Sequence, residues 1–331
     1  MTAAVPPKLC RPLPWPTALV TLSTTPPVDY QAVLNQIHAE VQPLLGRGQV
    51  ADYIPELAKV QGDHFGMAVV TLDGEVYSCG DARISFSIQS VSKLFALTLA
   101  YQCEGDALWA RVGREPSGSA FNSLVQLESE QGKPRNPFIN AGALVVTDVL
   151  CTRFVNPETA LVEFVRRLSG NATLQYDDRV ARSELATGFR NRAMANFMRS
   201  FGNLVNPVDE VIDAYCRHCA IRMDAVDLAR AVAFLANGGV NPWNGETIVD
   251  ASSAKRLSAL MLTCGTYDAA GDFAYRVGIP CKSGVGGGIV GHIPGRLGVC
   301  VWSPELEPSG NSLAGSHALE RFTTLTGQSL F

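Results

Sequence analysis

Hydrophobic positions first recur at helical spacing in the segment VDYQAVLNQIHAEVQPLL, where Val33, Leu34, Ile37, Val41, Leu44 and Leu45 share a face and Asp29 stands ready as a cap. GMAVVTLDGEVYSCG then changes to two short β-rich runs joined by Asp73-Gly74, a dipeptide that supplies the positive φ angles of a tight hairpin turn. Helical periodicity returns from Ser90 to Tyr101. It continues in patches to about Cys264, punctuated by glycines and by Asn-Pro pairs at Asn136, Asn156, Asn206 and Asn241. After Gly278 the pattern is β-rich again: GGGIVGHIP and RLGVCVWSP are separated by the turn dipeptide Pro294-Gly295, and a last helix is predicted from about Ser312 to Leu325. Strands and a helix at both ends predict an α/β fold, an antiparallel sheet built from both termini and flanked by helices, with a large helical lobe inserted. The expected organisation is a Pro-rich extension over residues 1–28 and a single domain over 29–331. Within that domain an α/β lobe takes about 29–90 and 278–331, and the helical lobe about 91–277.

Composition narrows the class of molecule. The 331 residues are 47% hydrophobic and 18% charged, which is globular rather than disordered. A formal charge of −4, with 27 basic and 31 acidic residues spread along the chain, leaves no electrostatic footprint for nucleic acid or an anionic membrane. The most apolar runs, such as Ala141 to Leu150, are too short to span a bilayer. Lys8 and Arg11 followed by apolar residues faintly echo a secretion signal, but Pro12, Pro14 and Pro16 interrupt it. The nine cysteines are an odd number in mostly apolar contexts, so buried free thiols and a cytoplasmic location are expected.

Candidate chemistry is sparse, which makes it informative. Cys216-Arg-His-Cys219 is a single CxxC without the second pair a zinc site needs. Gly286 to Gly291 matches GxGxxG in form, but Ile289, Val290 and Pro294 leave no room for the helix whose N-terminus must receive a pyrophosphate. No GxSxG elbow exists. Ser90-Val-Ser-Lys93 places a lysine one helical turn after a serine, on the same face, where a neutral amine could activate the hydroxyl. With 22 serines and 6 lysines such a pair arises readily by chance, and Ser252-Ser-Ala-Lys255 is a second one. Context separates them. Ser252 reads as an N-cap before an amphipathic helix with a solvated lysine, whereas Lys93 lies in an apolar helix where an unpaired lysine is costly. A capping serine with a snorkelling lysine remains the alternative for the Ser90 pair. Lys282-Ser-Gly284 opens a C-terminal strand and is followed by glycines that let a ligand approach the backbone; a Lys-Ser/Thr-Gly strand facing a Ser-x-x-Lys helix is the arrangement of serine β-lactamases and penicillin-binding proteins.

These elements, together with Glu115-Pro-Ser-Gly-Ser-Ala-Phe-Asn-Ser123, Asn136-Pro-Phe-Ile-Asn140-Ala-Gly-Ala143, Ser183-Glu184, Arg190-Asn191, Tyr215-Cys216, Met261-Leu-Thr-Cys-Gly-Thr-Tyr267 and the run from Gly271 to Gly288, are similar to those of the bacterial glutaminases. The resemblance covers about residues 30–330 and leaves out the Pro-rich start. It implies a β-lactamase-like fold, hydrolysis of L-glutamine to L-glutamate and ammonia through a γ-glutamyl-serine ester, no metal or organic cofactor, and a homo-oligomer, dimer or tetramer. It further implies Ser90 as nucleophile, Lys93 as base, Tyr267 as proton donor or relay, and the backbone N–H groups of Ser90 and Val285 as oxyanion hole. Asn140, Glu184, Asn191, Tyr215, Tyr267 and Val285 correspond to substrate-contacting positions. Between Glu184 and Asn191, Leu185, Ala186 and Phe189 depart from the more polar pattern of the family.

The residue types suit that role independently. A zwitterionic amino acid needs an anion for its ammonium and several donors for its carboxylate. Each residue also has an ordinary reading: Asn140 and Asn191 as helix caps, Tyr215 and Tyr267 as core or rim aromatics, Glu184 as a surface acid. Two other functions fit the same elements: a β-lactamase or D,D-peptidase, for which Ser169-Gly-Asn171 and Ser309-Gly-Asn311 match a third element in form but read as turns, and a non-catalytic amino-acid-binding module.

Overall fold

The computed structural model describes residues 28–117 and 124–331. The extension before Val28, with Cys10, and the Gly118–Ser123 part of the 115–123 motif lie outside the described residues.

The chain starts with α1 (Tyr30–Val41), β1 (Gln49–Val50), β2 (Gly66–Thr71), β3 (Val76–Gly80) and β4 (Phe86–Ser87). The middle carries α2 (Ser92–Glu104), α3 (Leu124–Ser129), α4 (Asn140–Arg153), α5 (Pro157–Ser169), β5 (Gln175–Tyr176), α6 (Asp178–Thr187), α7 (Phe189–Ser200), α8 (Val208–Cys219), β6 (Ile221–Met223), α9 (Ala225–Ala236), α10 (Ala251–Cys264) and α11 (Ala270–Val277). It closes with β7 (Cys281–Ser283), β8 (Gly288–Ile293), β9 (Leu297–Trp302), β10 (Glu305–Leu306) and α12 (Leu313–Thr326).

Five strands form the main sheet in the order β3-β2-β9-β8-β7, all antiparallel, so strands from the two ends of the chain are neighbours at β2 and β9. Every residue of β8 and β9 is buried, because both faces of the sheet are covered. Side chains alternate between the faces as the pleat requires. Met67, Val69, Val299 and Val301 pack with Leu34 and Ile37 of α1 and Leu319 and Phe322 of α12. Ala68, Val70, Cys300 and Trp302 join the larger core with α2, α4 and α9. A Cβ on Gly298 would lie 2.0 Å from the Ala229 carbonyl, so only glycine lets α9 approach β9 this closely. Phe273 and Val277 of α11 also pack in the α1/α12 core.

Two details differ from the sequence reading. The Asp73-Gly74 connection is not a two-residue turn: β2 and β3 are joined by Leu72–Glu75, only Gly74 has positive φ (96°), and Gly74 N–H donates to the Thr71 carbonyl at 3.0 Å. The Thr71 hydroxyl, bonded to the Asp73 carboxylate, favours this type I turn with a left-handed glycine at its end. A small sheet in the order β4-β6-β5 also crosses the helical region. Its strands of two or three residues are too short to show a period.

Candidate active site

Ser90 precedes α2, in a single 3₁₀ turn over Gln89–Val91. Several contacts fix that turn. Ile88 N–H donates to the Ile221 carbonyl (2.9 Å), the Gln89 amide donates to Ser87 Oγ (2.9 Å), and Ser87 Oγ donates to the Cys219 carbonyl (2.9 Å). Gln89 itself is left-handed, with φ 47°, a conformation a non-glycine residue holds only where its surroundings impose it. On the other side lies the strand from Lys282. A Cβ on Gly284 would sit 2.6 Å from the Ile88 carbonyl and 3.2 Å from the backbone nitrogens of Ser90 and Val91, so the glycine lets β7 meet the serine turn backbone to backbone.

Lys93 does not snorkel. All residues from Ser92 to Ala100 are buried, and Lys93 is 2% exposed. Among the described residues its amine donates to Asn140 Oδ1 (2.6 Å) and to the Phe138 carbonyl (3.4 Å). Burial pulls its pKa down to about 8, against the opposing pull of Cys219 and Glu184. Ser90 is no helix cap either, since Val91 occupies the N-cap position of α2. The other Ser-x-x-Lys pair is structural: Lys255 is exposed, and the N-cap of α10 is Asp250, whose carboxylate accepts from Ser253 N–H at 2.8 Å, rather than Ser252.

Asn140 is the first residue of α4, and the cap position belongs to Ile139. Its amide is a hub: Oδ1 accepts from Lys93 and from the Tyr215 hydroxyl (3.4 Å), and Nδ2 donates to Asn191 Oδ1 (3.0 Å). Asn191 lies inside α7, whose N-cap is Gly188, so neither asparagine is a cap. Glu184, on α6, is no surface acid; it is 7% exposed, and its Oε2 has no hydrogen-bond partner among the described residues. Burial lifts its pKa to about 7, while Lys93, Cys219 and Gln89 pull it down. Tyr215 is buried on α8.

Ser90, Asn140, Glu184, Asn191, Tyr215 and Val285 line one cavity of about 530 Å³. Lys93 and Tyr267 stand behind its wall. Tyr267 is buried, and burial raises its phenol above the usual range against the opposing pull of Ser90 and Ser283 beside it. Lys282, fully buried, lies 5.0 Å from the Tyr267 ring centroid and donates to the Gly265 carbonyl at 3.1 Å. Burial and the neighbouring Lys93 charge push its pKa well down. Tyr53 and Gln89 also line the cavity and were not foreseen. For Gln89 the signal was its place beside Ser90, between Ile88 and Val91; Tyr53 sits in an irregular stretch without one. Phe189, from the segment that departs from the family pattern, is an exposed rim residue.

The remaining motifs are absorbed by the fold. Cys216 and Cys219 are buried on α8, and the described residues hold no cluster of His, Cys, Asp and Glu fit for a metal. The GxGxxG stretch runs into β8, not into a helix. Asn171 donates to Asp227 and Asn311 to the Thr266 carbonyl, so neither formal third element lines the cavity.

An antiparallel sheet carrying a Lys-Ser-Gly strand, packed against a Ser-x-x-Lys turn that leads into a helix beside a polar cavity, defines a hydrolase of the β-lactamase-like fold. Comparison with known proteins makes the class narrower. The Glutaminase family model matches residues 48–331. The chain is 70% identical over 304 residues to a glutaminase of Ralstonia nicotianae, covering 92% of this chain and 100% of the relative. It is 56% identical over 308 residues to one of Rhizobium meliloti, covering 92% and 98%. Among solved structures, "Probable glutaminase ybaS" superposes with a TM-score of 0.87 at 38% identity, over 91% of this chain and 97% of the other. A "Probable glutaminase from Bacillus subtilis complexed with 6-diazo-5-oxo-L-norleucine" does so at 0.83 and 32%, over 93% and 98%. The chain belongs to the glutaminase family.

Proposed function

We propose that the chain hydrolyses L-glutamine to L-glutamate and ammonia through a γ-glutamyl ester on Ser90. The observation that carries the reading is the shared cavity: Ser90, Glu184, Asn191, Tyr215 and Asn140 line it together, the last three joined through the Asn140 amide. The unpaired Glu184 oxygen suits an α-ammonium, and the asparagine amides and tyrosine hydroxyl suit an α-carboxylate. The ligand named with the Bacillus subtilis structure is an L-amino acid with a carbonyl at C5, where glutamine has its amide carbon.

In this reading neutral Lys93 takes the Ser90 proton as Oγ attacks the amide carbon. The tetrahedral oxyanion is held by the backbone N–H groups of Ser90 and Val285, which the Gly284 approach brings together. Tyr267, beside Ser90, passes a proton to the departing nitrogen and receives in turn the proton held by Lys93, so that ammonia leaves and Lys93 is again a neutral base. Water then adds to the ester, giving its proton to the base, and the Ser90 oxygen leaves with a proton as glutamate is released. The lobe division of the sequence reading, a homo-oligomeric assembly and a cytoplasmic location belong to the same proposal. No helix among the described residues is long and apolar enough to cross a membrane.

The test is ammonia release from L-glutamine and L-asparagine alongside cleavage of a chromogenic β-lactam, with trapping of the acylated peptide. Ammonia from glutamine and a mass increase on the Ser90 peptide are expected. β-Lactam cleavage without ammonia release, or a label elsewhere, overturns the assignment.

A further inference from the structure

Tyr267 is one of three non-glycine residues with positive φ among the described residues, at 59°. A bulky side chain holds that conformation only where neighbours enforce it. The enforcing group is close by. Asn311, 1% exposed, donates its Nδ2 to the Thr266 carbonyl at 3.2 Å, and its amide is oriented by Ser309 Oγ at 3.1 Å. The Thr266 carbonyl belongs to the same peptide plane as the Tyr267 nitrogen, so holding that oxygen fixes the plane from which the Tyr267 φ is measured. The loop that presents Asn311 is itself tied down. Glu307 N–H donates to the Asn311 carbonyl (2.8 Å), Gly310 N–H donates to the Glu307 carbonyl (2.9 Å), and Leu306 bridges to Ser312 at the start of α12. A Cβ on Gly310 would lie 3.5 Å from the Tyr267 ring, so the loop also supports the ring.

We infer that Asn311 is a positioning residue for the reaction: its side-chain amide pins the Thr266–Tyr267 peptide and so holds the phenol against Ser90. The inference rests on the proposed role of Tyr267 as proton relay. It gives Ser309-Gly-Asn311, read from sequence as a turn that matches a third element only in form, a task at the backbone of Tyr267.

The experiment is a double-mutant cycle on the full chain with L-glutamine, using Asn311→Asp, Ser309→Ala, Tyr267→Phe and the two combinations with Tyr267→Phe, and following thermal unfolding of each. Asn311→Asp keeps the volume and replaces the donor with an acceptor. It is expected to lower kcat about 10- to 100-fold with KM changed less than about threefold, and to cost less than about threefold further when Tyr267 is already phenylalanine. Ser309→Ala is expected to show the same pattern more weakly, and it carries the comparison if Asn311→Asp does not fold. Normal kcat in the folded variants, or an undiminished loss in the Tyr267→Phe background, overturns the inference while leaving the Tyr267 reading intact. Normal kcat in Tyr267→Phe alone removes that reading and this one with it.

Discussion

Two buried groups of opposite sign set the behaviour of the site at the scale of single residues. With Glu184 held up to about 7 and Lys93 drawn down to about 8, the free site needs the first deprotonated to hold an ammonium and the second deprotonated to act as a base. The logarithm of kcat/KM should therefore climb steeply with pH below 7, less steeply to 8, and level off above. Glu184→Gln should remove the lower of these ionisations and leave a single step, moved below 8 because the Glu184 charge that raises Lys93 is gone. It should also cost about 10- to 100-fold in kcat/KM for L-glutamine, the worth of a charge-assisted hydrogen bond of roughly 1.5–3 kcal/mol. An analogue with an acylated α-amino group should lose far less. Equal losses on both substrates would move the amino-acid head elsewhere.

The same residue couples to stability. Because the folded-state pKa of Glu184 lies above the usual carboxylate value of 4.5, the folded protein holds this proton more tightly than the unfolded chain, and the stability it brings is lost as pH rises through about 7. Glu184→Gln is thus expected to melt higher than the parent at pH 8 and to differ little at pH 4, a comparison that calorimetry makes directly. Glu184 and Asn140 were legible only through resemblance, because an isolated acid or amide in a helical pattern reads as surface or cap. Lys93 was legible from chemistry, since nothing in an apolar helix explains a cation except work or a partner.

At the scale of elements the site depends on how β7 meets the turn before α2. Gly284→Ala would drive a methyl into the Ile88 carbonyl and part the strand from the Ser90 and Val91 nitrogens. It should destabilise the fold by roughly 1–3 kcal/mol, as overpacking does. Displacing the Val285 N–H by about 1 Å should cost on the order of 100-fold in kcat. A variant with a lowered melting temperature and normal kcat would remove Val285 from the oxyanion hole. Long elements with a sustained period were readable: α1 runs on from its Asp29 cap, and α12 from Ser312, which accepts from Gly315 N–H at 3.1 Å. The exact form of the β2–β3 turn was not readable, because a threonine hydroxyl three residues before the glycine decided it. Nor was the left-handed backbone at Gln89 and Tyr267, which long-range hydrogen bonds impose.

Across the whole molecule the two chain ends hold one another. α12 covers the face of the sheet built from β2, β8 and β9, and Arg321 pairs with Glu40 of α1 at 2.6 Å. Residues such as Leu319 and Phe322 each contribute about 1.5–3 kcal/mol when fully buried, and a domain has only about 5–15 kcal/mol in total. A chain ending before Leu313 is therefore expected to lose cooperative melting and activity together, as circular dichroism and the ammonia assay would show. A folded, active truncation would mean that the sheet stands without its cover.

The β2–β9 pairing also has a consequence for biosynthesis. β2 ends at Thr71 and its partner begins at Leu297, so the 225 residues from 72 to 296 leave the ribosome between them, about 10–50 seconds at common elongation rates. For most of that interval the Ser90 segment has been synthesised while the Lys282 strand and the Asn311 loop do not yet exist, and Cys219 and Ile221, whose carbonyls hold the serine turn, come late too. Catalytic competence arrives only once residues 282–311 have been made, so a message interrupted before them yields fragments that carry the nucleophile and no enzyme.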